Sequence, residues 1–160
     1  MNTDYDSNSP TGAVISDFTY ALSIDFDPGI GTDFFTFDPI TPSIAVPFFD
    51  HSIGTNATAN GAGTEAGDAG TYQTLIDNNN VLQQSWRHAF FTAASGKSYD
   101  PAIDGTYDIV LSAFEGTALA SSTNIRVIIG TGGTRVPEPA PMALLGLGLL
   151  GFGMMRYKKR

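Results

Sequence analysis

The chain has no cysteine among its 160 residues. A thiol nucleophile, a thiolate zinc centre and a disulfide framework are thereby excluded. Charge is also scarce, with 15% charged residues against 42% hydrophobic. That balance is too apolar for a disordered chain. Positive charge is the scarcest of all: residues 1–135 hold 15 acids against four bases, Arg87, Lys97, Arg126 and Arg135. Nucleic-acid phosphates are repelled by such a body, and no basic stripe is present to hold them, so nucleic acid is excluded as a partner. Histidine occurs only at positions 51 and 88. Neither His51 nor His88 comes with a nucleophile-elbow pattern or metal-type spacing, and the expectation is that the protein is not an enzyme.

What is present is strand signal and turn residues, with 18 Gly and 9 Pro. In "DFTYALSIDFD", Phe18, Tyr20, Leu22, Ile24 and Phe26 alternate with Thr19, Ala21, Ser23 and Asp25. Period two over nine residues predicts a half-buried strand. The pattern returns in "DGTYDIVLSAFEG", entered through Asp104-Gly105, with Tyr107, Ile109, Leu111 and Ala113 on one face. Glu115-Gly116-Thr117 then turns the chain into "ALASSTNIRVIIG", where Ile125, Val127 and Ile129 alternate with polar residues. The pair predicts a hairpin. The expected fold is all-β: an antiparallel β-sandwich resembling immunoglobulin or fibronectin type III modules, followed by a single C-terminal hydrophobic helix.

The centre, residues 71–94, reads two ways. "VLQQSWRHAFFTAA" has Leu82, Trp86 and Phe90 at helical spacing, but Leu82, Gln84, Trp86, His88 and Phe90 also alternate. The strand is preferred because the flanks are strands. Trp86 with Phe90, Phe91, Phe48 and Phe49 is core material first and a sugar-stacking platform second. "DFDPGIGTD" offers Asp25, Asp27 and Asp33 as oxygen donors for a calcium ion. Ile30 and Thr36 stand where an EF-hand needs Gly and Glu, so only a looser calcium site at one end of the sandwich is open, beside the plainer reading of a solvated turn. "NATANGAGTEAGDAGT" has no lysine, and its acids would repel phosphate, which leaves a mobile surface loop.

The last residues, "VPEPAPMALLGLGLLGFGMMRYKKR", differ in kind. Met142–Met155 are fourteen residues without a charge or polar side chain. As a helix they span roughly 21 Å, and with Ala140, Pro141, Arg156 and Tyr157 they approach the ~30 Å of a bilayer core. Met142, Leu144, Leu145, Leu147, Leu149, Leu150 and Phe152 form this expected membrane anchor. Arg156, Lys158, Lys159 and Arg160 follow as a basic stop, which belongs on the cytoplasmic side and leaves the body outside. An exported body needs an export signal, and "MNTDYDSNSPTGAV" has neither a charged nor an apolar region of that kind; the expectation is a signal peptide upstream of residue 1.

Pro137-Glu138-Pro139, the glycine-rich apolar span and the terminal basic cluster together resemble the PEP-CTERM sorting signal of Gram-negative bacteria. The resemblance implies export, an inner-membrane precursor, and recognition and cleavage by exosortase, a membrane-embedded transpeptidase, with delivery to the surface or outside. The expected organisation is a flexible segment 1–13, a sandwich body 14–130, a linker 131–136 and the sorting signal 137–160. For the body, the leading expectation is a non-enzymatic surface or matrix protein without cofactor. The alternative is a calcium- or carbohydrate-binding adhesion module with exopolysaccharide as partner.

Overall fold

The computed structural model describes residues 1–5, 11–41 and 50–133. The expected sorting motif, membrane helix and basic stop all lie outside them, as do Phe48 and Phe49. The elements in order are β1 (Thr19–Asp25), β2 (Phe34–Phe37), β3 (Ser52–Gly54), α1 (Ala69–Asn78), β4 (Val81–Gln83), α2 (Thr92–Ser95), β5 (Gly105–Glu115) and β6 (Ala118–Ile129). Short 3-10 turns at Ile15–Asp17 and His88–Phe91 complete them.

A four-stranded antiparallel sheet, in the order β2-β1-β5-β6, is the frame. Its register sorts the side chains cleanly. Leu22 faces Phe37 and Leu111, while Ile24 faces Phe35 and Ile109. Tyr107 and Ile109 in turn face Val127 and Ile125. Directly opposed residues share a face, so this side of the sheet is apolar across all four strands. The other face is polar: Ser23 bonds Thr36 at 2.8 Å, Ser112 bonds Ser122 at 3.0 Å, and Arg126 grips Asp108 with two bonds of 2.7 and 2.8 Å. The hairpin predicted at Gly116-Thr117 is present, with Glu115 opposite Ala118. Gly116 has φ of +59° and no other residue type in the described chain has positive φ, the pattern of a type II′ turn, which matches the twist of the strands.

The apolar face is not covered by a second large sheet. The two-stranded ribbon β3-β4 and helix α1 cover one end, bringing Ile53, Leu82, Tyr72 and Ile76 against Tyr20. At the other end the segment 84–99 lays Trp86, Phe91 and Tyr99 against Leu22, Ile24, Phe35 and Phe37. The immunoglobulin- or fibronectin-like sandwich is therefore not what the described residues form. The fold is mostly β with antiparallel sheets, and half of its second layer is helix and aromatic loop.

Helix α1 explains part of that difference. Asp68 caps it, accepting from Thr71 N and from Thr71 Oγ1, both at 2.9 Å. Tyr72, Leu75 and Ile76 then recur at i, i+3 and i+4 and turn one stripe inward. At the far end the Asn78 and Asn79 side chains donate to the carbonyls of Thr74 and Leu75 at 2.8 and 2.9 Å, adding side-chain bonds to the last turn. The glycine-rich stretch expected as a mobile loop is tied down before the helix begins. Thr64 exchanges two backbone bonds with Ile53, and Ala66 is buried. In the centre the preference for one strand holds only for Val81–Gln83; residues 84–87 then lead into the 3-10 turn His88–Phe91 and α2. The described part of the N-terminal segment pairs with β4, through Asn2 opposite Val81 and Thr3 N to Asn80 O at 2.9 Å.

Candidate functional site

Two hydrophobic clusters, rather than one, fill the space between the layers. One centres on Tyr72 and Ile53, the other on Phe91 and Ile24. A single domain ordinarily joins its apolar residues into one continuous core. Here a cavity of about 240 Å³ lies on the seam, touching Leu82 and His51 on one side and Ile24, Trp86 and Phe91 on the other. Leu22, Ile109 and Leu111 of the sheet form its floor.

Both histidines of the chain and its one tryptophan line this cavity, and each has a buried nitrogen without a partner: His51 Nε2, His88 Nδ1 and Trp86 Nε1. The hydrogen bonds on the other side of each histidine fix which nitrogen holds the proton. Tyr72 Oη donates to Ile40 O at 2.9 Å, so its bond of 2.8 Å with His51 Nδ1 must be donated by the imidazole. His88 Nε2 lies 2.7 Å from the Asp25 carbonyl, which can only accept. Both rings are thus protonated on the outer nitrogen, leaving a lone pair on the one without a partner.

Electrostatics agrees with this. Burial, with the N-terminal ammonium as a lesser cause, pushes His51 down to about 4, so it is neutral at pH 7. Burial also lowers His88, against an opposing pull from Asp25. The rings stand close: His51 to Trp86 at 5.3 Å, Trp86 to Phe91 at 5.4 Å edge-on, and His88 to Tyr99 at 4.1 Å between centroids. An unpaired buried polar atom costs about 1–3 kcal/mol, and all three belong to residues around this one cavity while the atoms themselves are closed to solvent. Among the described residues lining it, none has a hydroxyl, thiol or carboxylate.

The expected calcium ligands are placed differently. Asp25 is 1% exposed, and its Oδ1 accepts from Asp27 N at 3.0 Å and Asp33 N at 2.7 Å, which closes the loop on itself. Asp27 accepts from Gly29 N at 2.8 Å, and Asp33 pairs with Lys97. Among the described residues no three acidic or histidine groups gather as a metal site. The acids shape the turn after β1. His88 was expected on a strand beside Trp86; the two are neighbours, but His88 starts a 3-10 turn and meets His51, 37 positions away in sequence, only across the seam. A sequence signal for the cavity existed in the rarity of its residues, yet nothing in their spacing joined His51 to "SWRH".

The tail carries its own address. The PEP-CTERM protein-sorting motif matches residues 135–159. It is the mark of an exported chain directed to exosortase. Among the described residues no helix is long and apolar enough to cross a membrane, and the expected anchor at 142–155 lies outside them. No curated protein and no solved structure matches the chain.

Proposed function

We propose that the chain is a non-enzymatic surface or extracellular-matrix protein: a compact acidic body exported ahead of a tail that exosortase recognises and cleaves. The observation that carries this is the sorting motif at 135–159. Three features of the tail support the details. By proline's general preference, Glu138 before Pro139 is biased to extended backbone, a form that a processing enzyme can grip. Residues 142–155 are long enough, with their flanks, to hold a precursor in the inner membrane. Arg156, Lys158, Lys159 and Arg160 keep the terminus cytoplasmic and the body periplasmic.

The body supports a passive role through what it offers. Its charge of 15 acids against four bases up to residue 135 keeps it soluble outside the cell and away from polyanions. The polar sheet face shows hydroxyls and a cross-strand ion pair to solvent. The test is the intact mass, with terminal peptides, of the protein recovered from outside the host cell. Loss of the residues beyond about Pro137 is the expected result. Protein that still ends in "RYKKR" would make the tail a permanent anchor and end this reading.

A further inference from the structure

We infer that β6 is a self-association edge: two copies of the chain pair antiparallel along Ser121–Ile129, about a two-fold axis at Ile125, into one continuous sheet.

The edge is long and unguarded. β6 ends the four-stranded sheet, and among the described residues no strand pairs with its outer side. Such an edge offers a row of N–H and C=O groups, which proteins ordinarily blunt by shortness, proline, lysine or a cover. The opposite edge, β2, has only four residues. β6 has twelve, with no proline and no lysine, and all but its last residue are exposed. Its single charge, Arg126, is held by Asp108 of β5. Leu119, Ile125, Val127 and Ile128 are apolar and 39–63% exposed along it.

Charge and register choose a second copy as the occupant. The body is acidic and repels its own kind, but residues 116–137 contain no acid, so two copies meet here with least repulsion. The bulge between Ala113 and Phe114 disturbs the ladder near Ala120 and leaves Ser121–Ile129 regular. Ile125 is the middle of that stretch, so pairing about it engages the whole of it. Ile125 then meets its own copy, Thr123 meets Val127, Asn124 meets Arg126, and Ser121 meets Ile129. Opposed residues share a face, so Ile125 and Val127 of both copies form one apolar strip. Centring the pair one residue later would set two Arg126 guanidiniums face to face. Pairing like with like closes on itself and stops at a dimer.

The chain's own segments outside the described residues fit this edge less well. Prolines at 10, 42, 47, 137, 139 and 141 leave no proline-free run of this length in 6–10, 42–49 or 134–141, and proline cannot donate to a ladder. The apolar run that follows belongs to the membrane. That point rests on the tail reading proposed above, which the intact mass tests separately.

The absence of native cysteine makes single cysteines clean reporters of contact. Full-length Ile125→Cys and Ser121→Cys, each in dodecyl maltoside micelles, are treated with a short bismaleimide, and covalent dimer is measured by mass. The expected yield from Ile125→Cys is about tenfold above that from Ser121→Cys, whose copies lie about 27 Å apart along the strands, beyond the linker's span. Mixing Ser121→Cys with Ile129→Cys should restore the dimer. Should Ile125→Cys not fold, mixed Thr123→Cys and Val127→Cys read the same register. Equal yields from Ile125→Cys and Ser121→Cys alone would overturn the proposal, showing association without register, such as contact between tails. Monomer alone would overturn it too: a freely alkylated Ile125→Cys would mean an open edge, and a shielded one an edge covered by the chain's own tail or the micelle.

Discussion

The body and the tail carry information in opposite ways. The tail works as a string: Pro137-Glu138-Pro139, an apolar run and four cations in the last five residues are matched as a motif over 135–159 without reference to any fold. The body works as a shape. Its seam cavity draws His51 from one segment, Trp86 and His88 from a second and Leu22, Ile109 and Leu111 from the sheet, and no short subsequence contains it. A recognition tag read by an enzyme has to be local and extended, because the reader grips consecutive residues. A cavity has to be non-local, because walls on all sides come from different elements. The two regions should therefore fail independently.

That independence can be broken from either side. The largest effect belongs to Glu138→Gln, which should remove the processed form from the outside fraction altogether and trap full-length protein in the inner membrane. The melting temperature of the body should not move; a shift would show that tail and body are coupled. Phe91→Ala is the reciprocal change. Phe91 is 1% exposed and joins Trp86, Phe35 and Phe37, so the truncation should destabilise by about 3–5 kcal/mol in chemical denaturation. Whatever folded protein remains should still be cleaved at the tail.

Acid sharpens the contrast next. His51 stays neutral in the folded body down to about pH 4, whereas the unfolded chain protonates it near 6.5. Between those values the unfolded state binds more protons, so stability is full above pH 6.5 and falls as the pH drops toward 4, by about 3 kcal/mol. His51→Leu should flatten that slope in denaturation curves, since Tyr72 keeps its own bond to Ile40 O. An unchanged slope would move the acid sensitivity elsewhere. The smallest effect is at the hairpin. Gly116 has φ of +59° with open space around it, so Gly116→Ala meets no clash and pays only for its backbone, about 1 kcal/mol by thermal melting.

How much of the body was legible depends on how local its cause was. β1, β5 and β6 were readable from alternation, and the hairpin from Glu115-Gly116-Thr117, because a strand's pleat and a two-residue turn are properties of neighbouring residues. Alternation did not reveal burial. Ile125 shares the apolar face with Ile109 yet is 58% exposed, and Ile128 on the other face is 63% exposed, because β6 is an edge that the second layer does not reach. Helix α1 had a legible cap at Asp68 and a stripe at Tyr72, Leu75 and Ile76, masked by the glycines before it. The acids after β1 looked like ion ligands because carboxylate spacing alone does not tell whether the acceptor meets a cation or a backbone N–H.

From the sequence alone followed the address of the chain, the exclusion of thiol chemistry, and three of the four strands of the main sheet. Each depends on composition or on residues within a few positions of one another. Only the tertiary structure decided that the sheet is covered by a ribbon, a helix and an aromatic segment in place of a second sheet. It alone split the core and set three unpaired nitrogens around the gap. Packing is a contest among surfaces distant in the chain, and its outcome is written in no single stretch of it.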